Sequence, residues 1–249
     1  EKGASQRASK VIYDRKYSSI SMADLKDFDW DGIFSNAGWF HFTGITPALS
    51  DNCAAICEQA CKEAKARGIT VSCDLNYRKN LWTSEKAGLV MARLMPYVDV
   101  CIANEEDCEK VFGIKAAQTD IKSGKLSREG YQEVAEKLSS KFDIPTVAIT
   151  LRGSISASEN TWAALLYKDG QPYFSKEYRI HIVDRVGGGD SFGGGLIYAL
   201  SEGLSNPDVI EFAVAASALK HTIEHDFNEV TVAEVQALMG GDGSGRVQR

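Results

Sequence analysis

The stretch Asp184-Arg-Val-Gly-Gly-Gly-Asp-Ser-Phe-Gly-Gly-Gly195 concentrates the residue types that can do chemistry in this chain. Three glycines ahead of a helical run let successive backbone N–H groups converge on one anion, and the positive end of the helix dipole adds to the attraction. Asp190 falls in the first turn of that run, where a carboxylate serves either as a dipole-complementing cap or as a general base. Gly193, Gly194 and Gly195 sit inside the helix at a cost of about 1 kcal/mol each relative to alanine, so something is expected to pack close to that backbone. A plain glycine-rich turn with a capping aspartate is the competing reading. Nests of this kind usually hold anions, which favours the anion site.

Further polar clusters follow β-branched runs. Gly44 comes after Trp39 to Thr43, Asp74-Leu-Asn-Tyr-Arg78 after Ile69 to Cys73, Asn104-Glu-Glu-Asp107 after Val98 to Ala103, and Arg152-Gly153 after Thr146 to Thr150. In an open parallel sheet, ligands bind beyond the carboxyl ends of the strands, so these clusters converge on one edge. Arg78, beside Asp74 and Asn76, is read as a ligand residue rather than as half of a surface ion pair. Tyr13 and Arg15 are open between ligand contacts and exposed edge-strand positions. Cys53, Cys57 and Cys61 lie on the apolar face of one helix and are read as small buried thiols, not metal ligands. His221 and His225 are four apart without a third ligand nearby, so core or surface roles win. Trp30, Trp39 and Phe40 are expected in the core.

These residues need elements to position them, and the pattern supplies short strands alternating with amphipathic helices. Ser50 caps a helix whose apolar positions are Cys53, Ile56, Cys57, Ala60, Cys61 and Ala64, and Gly68 stops it. A strand at Ile69 to Cys73, a helix at Ser84 to Met95 and a strand at Val98 to Ala103 come next. A helix at about Glu129 to Phe142 feeds the strand Thr146 to Thr150. Trp162 to Ile182 reads as hairpin strands turning at Asp169-Gly170. Gly187 to Asp190 opens a helix through Leu200, Asn206-Pro207 starts a largely buried one through Leu219, and Thr231 with Glu234 forms a capping box. The first twenty residues fall outside this rhythm and are read as an extended flap. The tail Gly240 to Arg249 is expected to fray. The fold class is therefore α/β, a mainly parallel sheet with helices on both faces.

Composition narrows the classes. The 249 residues are 44% hydrophobic and 25% charged, enough for a real core and too apolar for disorder. A net charge of −6 gives no basic footprint for nucleic acid, and no apolar run reaches the length of a membrane-spanning helix. Six cysteines in a chain of this length do not make a disulfide scaffold, so reduced thiols in a cytoplasmic protein are expected. No P-loop and no G-x-G-x-x-G is present, which removes the main support for a nicotinamide-dependent enzyme.

Asp184 to Gly195 resembles the second signature of the ribokinase (PfkB) family of carbohydrate kinases, whose core is G-[AG]-G-D followed by small residues. Gly44-Ile-Thr-Pro-Ala-Leu, Asp74-Leu-Asn-Tyr-Arg-Lys-Asn-Leu-Trp82, Ala103-Asn-Glu-Glu-Asp107 and Ala216-Ser-Ala-Leu-Lys-His221 look like members that phosphorylate 2-keto-3-deoxygluconate. The resemblance runs through nearly the whole chain. It implies one ribokinase-like kinase domain over residues 1–249, N-terminally incomplete, with residues 1–20 as a small β flap or lid. It implies a soluble enzyme that takes ATP, Mg2+ and a sugar acid and forms the 6-phosphate. By the family pattern Asp190 is the base, and the N–H groups of Gly187, Gly188 and Gly189 form the anion hole. Arg78 holds the substrate carboxylate, and Tyr13 and Arg15 are lid residues that touch the sugar acid. Asn104 and Asp107 match an N-x-x-E-type motif that helps order magnesium and phosphate; the metal rides on the ATP phosphates, with no direct protein ligand assigned and Asp107 the one side-chain candidate. Thr150, Arg152 and Gly153 resemble the nucleotide-side loop, and Ser217 and His221 belong to the adenine wall. A homodimer through the lid is the family-level expectation.

Three positions depart from the pattern. Arg185 stands where Thr, Ser, Pro or Val is usual, Asp107 replaces a glutamate, and Glu224-His225 stands where a small or glycine-containing turn is expected. Two other readings stay open: a fructokinase or ribokinase, and a truncated, non-catalytic sugar-acid or nucleotide-binding protein.

Overall fold

A computed structural model describes residues 3–116 and 127–241, so the expected frayed tail lies outside the described residues from position 242. The chain divides into two compact units, one of Ile12–Ile149 with Tyr167–Gln171, the other of Glu1–Val11, Thr150–Leu166 and Pro172–Arg249.

In the first of these units, β1 (Trp39–Thr43), β2 (Thr70–Asp74), β3 (Val100–Ala103) and β4 (Thr146–Ser154, to Ile149) are parallel neighbours in that order. Phe42 faces Cys73, Cys73 faces Cys101, and Cys101 faces Val147, which fixes the register. Short apolar runs such as Val-Cys-Ile-Ala, buried throughout, are what a parallel strand covered by helices requires. The helices are α1 (Trp30–Phe34), α2 (Ile45–Leu49), α3 (Asp51–Ala66), α4 (Ser84–Leu94), α5 (Glu105–Phe112) and α6 (Arg128–Phe142). Ser50 caps α3 by accepting the Cys53 N–H at 3.1 Å, and the cysteine stripe faces inward as its three- and four-residue spacing requires. All six cysteines are free and buried.

Trp30, Trp39 and Phe40 correct their expectation: all three are half-buried. Phe28, Trp30, Phe34, Phe40 and Phe42 form a continuous row of ring contacts. β1 ends the sheet on this side, so its side chains have a strand neighbour on one flank only.

The other unit holds β4 from Thr150 onward, most of β5 (Glu159–Lys168) and β6 (Gln171–Phe174), and β7 (Tyr178–His181), with β7 antiparallel to β5. Asp169 and Gly170 both take left-handed backbone, as the two-residue turn between β5 and β6 requires. α7 (Gly188–Ser201), α8 (Asn206–Lys220) and α9 (Val232–Met239) complete it. α7 and α8 approach so closely that a Cβ on Gly195 would lie 3.1 Å from Ala213 Cα and 3.2 Å from Ala216 Cβ. Gly194 has open space instead, so the helix needs a glycine for packing at Gly195 and not at Gly194.

Among the described residues the opening segment supplies one isolated antiparallel bridge, Ala4 with Arg7, and no strand. Ala157 N–H donates to Ser5 O at 2.8 Å, which ties the first residues to the turn between β4 and β5. Further on, the path is broken by the left-handed Tyr17 and a single 3-10 turn at Ile20–Met22.

Candidate active site

The glycine loop enters α7 through Gly187, whose φ of 79° is the left-handed conformation that glycine adopts without penalty. A Cβ there would also come within 2.1 Å of Asp226 O. Ser191 N–H already bonds Gly187 O and Gly188 N–H reaches Arg185 O at 3.5 Å, which takes Gly188 out of the expected Gly187–Gly189 donor set, whereas the N–H groups of Gly187, Gly189 and Asp190 have no hydrogen-bond partner among the described residues. Unpaired N–H groups at the dipole end of a fourteen-residue helix present a favourable potential to an anion. The Asp190 side chain is exposed in the same turn, free to meet a substrate.

The loop is held from below by α8. Ser217 is wholly buried and its hydroxyl donates to Gly188 O at 2.7 Å. His221 Nδ1 lies 2.7 Å from Ser217 O, so Nδ1 carries the proton of the neutral ring. The ring stands directly against Gly188, where a Cβ would meet its Cε1 at 2.5 Å and its Nε2 at 2.7 Å. Burial lowers the His221 pKa, with Lys220, Arg185 and Arg152 adding to the effect against the Ser217 bond. Asp184, 7% exposed, accepts the N–H groups of Val186 and His225 at 3.3 and 3.2 Å. Arg185 donates to Ala157 O at 2.8 Å; burial and then the nearby Arg152 lower its pKa. Thr150, Arg152 and Gly153 lie on β4, where Gly153 packs so tightly on Thr161 that a Cβ would reach its hydroxyl.

The other unit assembles its own polar cluster at the carboxyl ends of β1, β2 and β3. Gly44 N–H donates to Asp74 O, and Leu75 N–H donates to Ile102 O. The loop after β2 then turns at Asn76, in left-handed backbone, with the Asn76 N–H on Asp74 Oδ1 at 3.1 Å. Asn104 caps α5 by accepting the Asp107 N–H at 2.7 Å. Asp107 in turn accepts the Tyr77 N–H at 3.1 Å, so Asn104, Asp107, Tyr77 and the exposed Arg78 form one connected group. Burial pushes the Asp107 carboxyl up to about 7, with backbone hydrogen bonds and Arg78 pulling the other way. In the opening segment, the Arg15 guanidinium lies 4.4 Å over the Tyr13 ring, and its buried Nη1 has no hydrogen-bond partner.

Two features were not legible as site features in the sequence: Lys220 is wholly buried, its ammonium on backbone carbonyls, and Asp184 ties two loops together. His225, marked in the sequence as standing where glycine is usual, takes φ +66. Among the described residues no group of three or more His, Cys, Asp or Glu side chains is placed to hold a metal ion. No helix among them is long and apolar enough to cross a membrane.

The pattern of the pfkB family carbohydrate kinases matches residues 3–224. The chain belongs to this family. Among solved structures, 2-dehydro-3-deoxygluconokinase from Thermotoga maritima superposes with a TM-score of 0.91 and is 53% identical, over 96% of this chain and 70% of that one. The 2-dehydro-3-deoxygalactonokinase of Haloferax volcanii is 30% identical over 98% of this chain and 70% of its own length. The 2-dehydro-3-deoxygluconokinase of Thermoproteus tenax is 28% identical over 85% of the chain, which spans 57% of that relative. The pfkB chain is thus a carbohydrate kinase of ribokinase-like α/β fold, with a mixed, mostly parallel sheet.

Proposed function

We propose that this chain transfers the γ-phosphoryl group of ATP to the 6-hydroxyl of 2-keto-3-deoxygluconate, the 2-dehydro-3-deoxygluconate of the relatives' names. The glycine-opened α7, with Asp190 beside uncommitted N–H groups, carries the reading. Asp190 takes the proton of the sugar hydroxyl as the new O–P bond forms and the bond to the ADP oxygen breaks. The Gly189 and Asp190 N–H groups, with Gly187 and Gly188 shaping the loop, stabilise the charge on the transferred group. Ser217 and His221 act by holding Gly188 in place. Arg78 and Arg15 take the sugar carboxylate, with Tyr13 packed on Arg15.

Thr150, Arg152 and Gly153 serve the nucleotide side. Magnesium, bound with ATP, supplies charge neutralisation on the phosphates. The donor set fits a metal that arrives on its substrate, because Asp107 is 7% exposed and one of its oxygens already holds Tyr77. The family match crosses both units, which supports one kinase domain over the chain. A cytoplasmic setting and a homodimer through residues 1–20 belong to the same reading, and light scattering tests the dimer.

The deciding experiment follows ADP formation with Mg-ATP and 2-keto-3-deoxygluconate, its galactonate epimer, fructose, ribose or no sugar. Turnover confined to the sugar acids supports the proposal, and the two epimers fix the configuration. Equal turnover of neutral sugars favours a fructokinase or ribokinase, and ligand binding without turnover favours a binding protein.

A further inference from the structure

Lys220 is the last residue of α8 and is 0% exposed. Lysine is almost never fully buried without an ionic partner, because desolvating an ammonium is costly. Among the described residues no carboxylate lies within ion-pairing distance of it. Its Nζ instead donates to Ile223 O at 3.2 Å and His225 O at 2.7 Å. Both carbonyls belong to the turn that folds back over the end of α8, where the helix dipole also favours positive charge.

That turn abuts the glycine loop. His225 presents both backbone groups, its C=O to Lys220 and its N–H to Asp184 Oδ2 at 3.2 Å. The other oxygen of Asp184 accepts the Val186 N–H, and His221 O accepts the N–H groups of Val183 and Asp184. Asp226 O, one residue past His225, lies against Gly187 so closely that only glycine fits. Moving the turn would move the residue that sets the entry of α7. Two carbonyl dipoles converging on one point repel one another unless a cation lies between them.

We propose that Lys220 is the resident cation of the glycine loop, a positioning residue whose tethered ammonium fixes the 222–226 turn and makes the site independent of monovalent cations from solution. The catalytic readout rests on the proposed kinase reaction; the structural readout does not.

The test compares the wild-type chain and Lys220→Met in potassium, ammonium, sodium and tetramethylammonium chloride at equal ionic strength. Turnover with Mg-ATP and 2-keto-3-deoxygluconate is measured beside the melting temperature. Wild-type turnover and melting are expected to be the same in all four salts. Lys220→Met is expected to lose at least about tenfold in kcat with KM for the sugar little changed, since the Ile223 and His225 carbonyls lose the partner that fixes the turn. Potassium or ammonium, and not tetramethylammonium, should restore part of kcat and raise the melting temperature of the variant alone. A wild-type chain that needs a small cation overturns the proposal, as does a variant indifferent to the choice of salt. If the wild type turns over no sugar, the reaction assignment fails, and the melting series still decides the role of Lys220. Should Lys220→Met not fold, Lys220→Gln replaces it, and salt dependence of the wild type remains decisive alone.

Discussion

Asp107 accepts the N–H of Tyr77 at 3.1 Å, so the start of α5 holds the residue next to Arg78. Burial raises this carboxyl to about 7, against an unfolded value of about 3.9. Between those values the folded chain keeps a proton that the unfolded chain has released. The stability from this group is therefore fully present below about pH 4 and is lost as pH rises through about 7. Asp107→Asn keeps an acceptor for Tyr77 and cannot ionise, so it should flatten the fall in stability over that window. Asp107→Ala should instead cost about 1–3 kcal/mol by leaving the Tyr77 N–H unpaired. Urea unfolding at pH 5, 6, 7 and 8 separates the two, and an unchanged pH slope in Asp107→Asn would remove Asp107 as its source.

The glycines of the loop differ in what they must avoid. A methyl group on Gly188 would strike the His221 ring, whereas Gly189 has nothing within 4 Å of that position. Gly188→Ala should destabilise the chain by about 1–3 kcal/mol through overpacking, and Gly189→Ala should change stability far less. Thermal unfolding of the pair checks this. Equal stability of the two variants would mean that His221 can move aside, weakening its part in shaping the anion hole.

Asp190 is exposed and its removal should leave the fold intact. Asp190→Asn keeps its size and loses the ability to take a proton. Its kcat should fall by about 10²–10⁴-fold, with KM for ATP and sugar little changed. Turnover near that of the wild type would show that another group takes the hydroxyl proton.

Arg78 is exposed on a loop fixed by Asp107, so Arg78→Ala should act on substrate rather than on stability. Losing a charge-assisted contact of about 1.5–3 kcal/mol should raise KM for the sugar acid by about ten- to a hundredfold and leave neutral sugars unaffected. Parallel increases for acidic and neutral sugars would take the carboxylate role away from Arg78.

The glycine loop, the capped helices and the alternating strands could be read from sequence because each depends on local chemistry. Gly187 must take positive φ, Ser50 must accept an N–H, and the cysteine stripe of α3 has one face. Lys220 could not be read this way. Its burial depends on a turn folding back over the helix end, and a lysine closing a helix ordinarily points to solvent. The aromatic row at Trp30, Trp39 and Phe40 escaped for a related reason, since side-chain size does not say whether a strand has one neighbour or two. Residue types also marked Arg78 and Arg15 as ligand candidates, but only the structure shows that Arg15 Nη1 is buried without an acceptor.

The cysteines offer a test of the unit that contains them. Thiol reagents attack thiolate, and burial pushes Cys57 and Cys61 up to about 12 and Cys73, Cys101 and Cys108 well above the ordinary thiol range. A disulfide reagent at pH 8 should therefore label less than about one thiol in the native chain and all six after denaturation, since labelling must wait for opening. Cys53 should lead any slow native phase. Its thiol donates to Ile20 O at 3.1 Å, so release of the 3-10 turn at Ile20–Met22 would uncover it without opening the sheet. Peptide mapping of the first labelled site checks the order. Rapid stoichiometric labelling of Cys73 or Cys101 would show that β2 and β3 do not lie in a closed core.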